Sequence, residues 1–177
     1  MNSMKNDNTV LFFDGANFHQ TCKVLNIHVD YRKLLTEFQD KTNLIRANYY
    51  TTVHENDEYD SLRPLIDWLD YNGFSVYTKP VREYTDSNGN KRFKGSILVD
   101  LTVGMLDASR YANHIVLFSG DGEYRPAIAS LQDRGIKTTV ISTLQAANPM
   151  ISDDLRRQAD HFIDLSSLAE KINRDTR

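Results

Sequence analysis

The chain predicts an α/β protein: a three-layer α/β/α sandwich around a central, mainly parallel sheet, with a β-hairpin inserted at one edge. Three observations carry that reading. The runs Val10-Leu11-Phe12-Phe13 and Ile115-Val116-Leu117-Phe118 have the unbroken apolar character of strands buried on both faces. Amphipathic stretches of helical length alternate with such runs, the pattern of βαβ units with right-handed crossovers. An Asn88-Gly89 pair between two alternating segments marks a hairpin in place of a plain loop.

Each element has its own local reason. Val10 opens a strand that stops at Asp14-Gly15, and Asp30 caps a helix with Leu34, Leu35 and Phe38 on one face. Leu44 to Val53 reads as a strand. Glu58 to Asn72 reads as a helix with the stripe Leu62, Leu65, Ile66 and Leu69, closed by Gly73. Phe74 to Thr78 is the third strand, and the hairpin runs from Val81 to Lys94. A helix over Ile97 to Tyr111 leads to the strand His114 to Ser119. Tyr124 to Arg134 is a helix stopped by Gly135, and Lys137 to Ile141 the fifth strand. A short helix over Asp153 to Ala159, an edge strand over His161 to Asp164 and a terminal helix over Ser166 to Ile172 complete the set.

At 177 residues and 40% apolar content the chain suits one domain, over 9–173, with flexible ends at 1–8 and 174–177. A net charge of −3 provides no global pull toward polyanions, so any such partner needs a local patch or a metal. Cys22 is the only cysteine, which excludes an internal disulfide and fits a reducing, cytoplasmic setting. Met1 to Asn8 is polar and the apolar run after it is short, so it reads as a strand entry and not a signal peptide. Nothing reaches membrane-spanning length, and no membrane partner is expected. A homo-oligomer is left open.

The chemistry gathers at strand ends. Ligands of parallel sheets bind beyond the carboxyl ends of the strands, where strand order reverses. Asp14 and Asp121 both occupy such ends, so they are expected to share a crevice. Carboxylates gathered there repel one another unless a cation intervenes. Asp14, taken alone, equally suits a cap for the next segment. Ser119-Gly120-Asp121-Gly122-Glu123 tips the balance toward a divalent ion, since Mg²⁺ takes oxygen ligands from one or two carboxylates plus phosphate. Asp100, near a helix start and on one face with Gly104 and Asp107, is a further candidate ligand. The metal set expected is therefore Asp14, Asp121, Glu123 and Asp100, with Asn17 and Ser119 orienting ligands or phosphate.

The hairpin region carries Lys79, Arg82, Lys91, Arg92 and Lys94 with Tyr84 and Phe93 interleaved. Cations for phosphates and rings for bases suit single-stranded nucleic acid; a solvated hairpin with protective edge charges is the plainer account. His19 and His54 suit structural roles. Ala16 stands where a haloacid-dehalogenase-like phosphatase needs its second acid, no Walker lysine or dinucleotide glycine pattern exists, and no zinc cluster is present.

Phe13-Asp14-Gly15-Ala16-Asn17, Lys94-Gly95, Leu117-Phe118-Ser119-Gly120-Asp121-Gly122-Glu123-Tyr124 and Pro149 to Asp160 together resemble the NYN domain, a branch of the PIN-like metal-dependent ribonucleases, and within it the LabA-like bacterial group. The resemblance implies a Mg²⁺- or Mn²⁺-dependent nuclease site acting on RNA. It places Asp14, Asn17, Ser119 and Asp121 at functional positions, with Glu123 standing for an aspartate. Two positions depart from it: Leu98 and Gly104 stand where aspartates belong, and Asp100 replaces a glutamate. The leading expectation is metal-dependent hydrolysis of RNA phosphodiesters. The alternatives are a binding-only RNA or regulatory protein and a small-nucleotide phosphohydrolase.

Overall fold

Residues 4–54 and 61–175 are described by the computed structural model. The apolar run at Val10 forms the middle of β1 (Met4–Asp14), whose side chains alternate between two cores. Val10 and Phe12 face one side, Leu11 and Phe13 the other, and all four are essentially inaccessible. That double burial is why the run shows no polar alternation. The strand also starts earlier than Val10, reaching into the polar segment 1–8 through an irregular stretch paired with β2 (Thr42–His54).

From β1 the chain builds outward to one side, through α1 (Gly15–Val24), α2 (Tyr31–Lys41), β2, α3 (Arg63–Tyr71) and β3 (Ser75–Thr85). β4 (Lys91–Lys94) folds back on β3 as the antiparallel edge. The chain then crosses by α4 (Leu98–Ala108) to β5 (His114–Phe118), on the other flank of β1. It continues through α5 (Arg125–Asp133), β6 (Lys137–Ser142), α6 (Asp153–Gln158), β7 (His161–Asp164) and α7 (Ala169–Ile172). The sheet order is β4-β3-β2-β1-β5-β6-β7, parallel except for the β3–β4 pair. Strand order therefore reverses between β1 and β5, which places a crevice at their carboxyl ends.

Leu101 and Met105 of α4 and Ile128 and Leu131 of α5 cover one face of the sheet. Phe18 and Cys22 of α1, Leu34 and Phe38 of α2 and Leu69 of α3 cover the other. The expected three-layer sandwich with an edge hairpin is the fold observed.

Further differences from expectation are local. α1 was not foreseen. Glycine at its first position and polar residues at most others hide the helical period, but Phe18, Thr21 and Cys22 are buried at helical spacing. The third strand and the first arm of the hairpin are one strand, β3, which outlasts its pairing with β2 and runs into the turn at Asp86. The third helix begins at Arg63 behind Pro64; residues 58–60 of its expected span lie outside the described residues. Its end is as expected, with Gly73 at φ +90° just beyond Asn72.

Candidate active site

Asp14 ends β1 and caps α1, with 8% of its surface exposed. Ser119, just past β5, donates its hydroxyl to Asp14 Oδ2 at 3.1 Å. Tyr124 O–H reaches the same oxygen at 3.4 Å, and the Asn17 backbone N–H reaches Oδ1 at 3.4 Å. These bonds hold the Asp14 carboxylate in one orientation without fully replacing water. Burial pushes its pKa above the ordinary value against the Ser119 and Asn17 hydrogen bonds, and the neighbouring Asp121 charge pushes it up further.

Two side chains lock the strand ends together. Asn17 Oδ1 accepts from the Gly120 N–H at 3.0 Å, and Ser119 Oγ accepts from the Asp121 N–H at 3.2 Å. Gly120 is required by close approach: a Cβ there would stand 1.9 Å from the Met150 carbonyl oxygen. The Ser152 N–H donates to Gly120 O at 2.9 Å, so the segment before α6 backs the loop that carries Asp121.

Asp14, Asn17, Thr51, Leu98, Asp121 and Tyr124 line one cavity of about 350 Å³ at the β1–β5 switch point. The structure thus brings together Asp14, Asn17, Ser119 and Asp121. It does not bring Asp100 to this cavity. Leu98 opens α4 there, and Asp100, two residues on, turns to a neighbouring cavity of about 670 Å³ and pairs with Lys79 Nζ at 2.8 Å. Glu123 is exposed outside the cavity lining, and its backbone N–H caps Asp121 Oδ1 at 3.0 Å. Among the described residues no three His, Cys, Asp or Glu side chains form a metal cage.

Gly104 faces the larger cavity for a packing reason: a Cβ there would lie 2.2 Å from the Tyr50 hydroxyl oxygen. Tyr50 therefore occupies the room that an acid at position 104 would need. Tyr124, which lines the Asp14–Asp121 cavity, and Tyr50, which lines the larger one, were not assigned by local sequence motifs. Tyr124 follows the acidic turn directly, and that adjacency was the signal available.

In the hairpin, the register Tyr84↔Arg92 and Arg82↔Lys94 puts Arg82, Tyr84, Arg92 and Lys94 on one face. Glu83, Phe93 and Lys91 take the other, where Lys91 approaches Glu83 at 3.4 Å. Arg92 Nε donates to Asp86 at 3.0 Å, while Tyr84 and Phe93 stay half exposed or more. The basic and aromatic residues are thus divided between two faces. His54 packs edge-on against Phe93, and His19 is exposed on α1.

A parallel α/β/α sandwich with strand-end carboxylates gathered at its switch point is consistent with a PIN-like fold. The chain belongs to the NYN domain family, matching it over residues 8–167. It is 31% identical to the low amplitude and bright protein LabA of Synechococcus elongatus, over 94% of this chain and 88% of that protein. The fold is shared with a Vibrio parahaemolyticus protein of unknown function, VPA0982, at a TM-score of 0.74 and 23% identity, covering 93% of this chain and 96% of that one. Among the described residues no helix is long and apolar enough to cross a membrane.

Proposed function

We propose that the protein is a weak, single-metal ribonuclease that cuts RNA phosphodiester bonds at the Asp14–Asp121 crevice. The observation that carries this reading is the buried Asp14 carboxylate, whose charge is opposed both by desolvation and by Asp121 across a shared cavity. A hard divalent cation relieves both. The donor set suits one hydrated Mg²⁺ or Mn²⁺ ligated by Asp14 and Asp121 and completed by substrate phosphate. Such an ion, when bound, lowers the pKa of a ligating water and offsets charge building on phosphate. Ser119 and Tyr124 fix the direction of the Asp14 carboxylate, and Asn17 holds Gly120 so that Asp121 stays in register with it. The hairpin face of Arg82, Tyr84, Arg92 and Lys94 supplies phosphate contacts and a stacking ring for single-stranded RNA.

A binding-only protein is the second reading, favoured by one feature: Leu98 puts an apolar side chain where a third carboxylate would complete the crevice. End-labelled single-stranded RNA incubated with Mn²⁺, and again with EDTA, tests both. The expected result is slow Mn²⁺-dependent cleavage that Asp121→Asn abolishes and Leu98→Asp accelerates. Retained binding with no cleavage by either the natural chain or Leu98→Asp establishes the second reading instead. Replacing Arg82, Arg92 and Lys94 by Ala should lower the slope of log affinity against log salt by about 2, at roughly 0.7 per phosphate contact on single strands.

A further inference from the structure

We propose that the cavity beside the candidate active site is a base-reading pocket that takes a guanine of single-stranded RNA; the RNA source rests on the function proposed above. The cavity of about 670 Å³ lies between α4 and the face of β2 and β3. That size falls within the ordinary range for small-ligand sites, roughly 300–1,000 Å³. Ile97 lines both this cavity and the crevice of Asp14 and Asp121, so a strand whose phosphate sits at the crevice has a base within reach of the pocket.

Two side chains in its wall, Asn48 and Tyr50, present polar groups to the cavity. Asn48 is 6% exposed and Tyr50 5%, yet neither the Asn48 amide nor the Tyr50 hydroxyl finds a hydrogen-bond partner among the described residues. Both groups open onto the cavity and are reached from it, Ser142 Oγ being the fully buried side-chain polar atom without a partner among the described residues, so both are free to bond a ligand that enters. Gly104 is what allows it, since any side chain there would displace the Tyr50 hydroxyl.

The remaining wall selects a base. Tyr77 stacks on Tyr50 with ring centroids 4.6 Å apart and an interplanar angle of 13°, and 48% of it stays exposed, ready to take a nucleobase. Asp107, approached by Arg110 at 3.4 Å, lines the cavity as the acceptor for a base, while Asp100 in the same wall is paired with Lys79 at 2.8 Å. Guanine alone among the common bases presents two adjacent donors, N1–H and the 2-amino group, which a carboxylate accepts together. Its O6 then takes the donor that Asn48 or Tyr50 offers. Adenine and cytosine set a bare ring nitrogen beside their amino group, and uracil flanks its single N–H with carbonyls; carboxylates repel both arrangements.

The test uses the full chain without metal. Fluorescence anisotropy compares an all-uridine oligoribonucleotide with the same strand carrying one central guanosine, and calorimetry compares GMP with AMP, CMP and UMP. The guanosine strand should bind about tenfold tighter, the scale of one good bidentate base contact. Asn48→Ala should remove that preference, and so should Val103→Trp, which fills the pocket from a position already 51% exposed and so leaves the core intact. Both variants should keep all-uridine binding. Binding of both strands with equal affinity, or a guanosine preference untouched in both variants, overturns the pocket and leaves the RNA reading standing. GMP bound selectively with no RNA bound at all overturns RNA as the source, and with it the function above.

Discussion

The β1–β5 pair buries a polar group at each end, and the two ends treat it oppositely. At the amino ends His114 is fully buried next to its register partner Thr9. Its Nδ1 lies 3.0 Å from Thr9 Oγ1 and its Nε2 2.8 Å from Thr139 Oγ1. One proton arrangement satisfies every group: Nδ1–H donates to Thr9, Thr9 donates to the Asp7 carbonyl at 3.2 Å, and Thr139 donates to Nε2. Burial holds the imidazole neutral, with its pKa lowered to about 4. At the carboxyl ends Asp14 is nearly as buried, but its neighbour is another acid and it faces a cavity. Burial therefore does not mark function by itself. What separates the two ends is whether the protein's own groups complete the hydrogen bonding and the charge.

That contrast can be broken first at His114. His114→Leu keeps the volume but strips the hydroxyl of Thr139 of its partner, which should cost about 2–3 kcal/mol. The melting temperature should fall by roughly 5–10 °C in a domain of this size. The natural chain should show a matching pH dependence. A base with a depressed folded pKa contributes stability above its unfolded value near 6.5 and loses it as pH falls through about 4. Thermal melts between pH 7 and 4 should therefore decline in the natural chain and decline less in His114→Leu. Parallel profiles in the two proteins would remove His114 as the titrating group.

Gly104 sharpens the contrast from the cavity side. Gly104→Asp would restore an acid to α4, but its Cβ cannot coexist with the Tyr50 hydroxyl 2.2 Å away. Overpacking of this kind costs about 1–3 kcal/mol, and Gly104→Ala should show most of it because the conflict is with the Cβ. Denaturant melts of both variants measure this. A Gly104→Ala protein as stable as the natural chain would mean that Tyr50 moves aside freely.

Why Gly104 and Asp100 misled a reading of the sequence is a matter of what periodicity can tell. Spacing of four and three puts Asp100, Gly104 and Asp107 on one helical face, and they do line one cavity together. Spacing does not say where that face points. Because α4 begins at Leu98, Leu98 meets the crevice and Asp100 turns toward Lys79. Asp14, Ser119 and Asp121 were legible for the opposite reason: an apolar run ending abruptly in a carboxylate fixes both the element and its end. The sheet followed from the same runs. α1 escaped because its buried face is narrow, and Asn48 and Tyr50 because polar side chains inside a strand carry no local motif until the neighbouring helix leaves them uncovered.

The smallest effect on stability is expected at Asp14, and its sign is the informative part. An acid whose folded pKa is raised contributes stability that is fully present below its unfolded value near 3.8 and is lost as pH rises through the folded pKa. At neutral pH the Asp14 charge is therefore a net burden on the metal-free protein. Asp14→Asn removes that charge and, with its amide oxygen toward Ser119 and Tyr124, keeps an acceptor for both hydroxyls. Its amide NH2 then faces the Asn17 N–H in place of the carboxylate oxygen that accepted from it at 3.4 Å, a donor-to-donor approach that is weak at this distance. In EDTA at pH 7 the variant should melt about 2–4 °C higher, corresponding to ~1 kcal/mol. At pH 3, where the natural carboxyl is protonated in both states, the gain should vanish. Added Mn²⁺ should reverse the order at pH 7, because binding to the folded natural chain stabilises it by mass action and the variant lacks half of the carboxylate pair. A variant that melts lower than the natural chain in EDTA at pH 7 would mark Asp14 as a structural cap, equivalent to His114 at the other end of the strands.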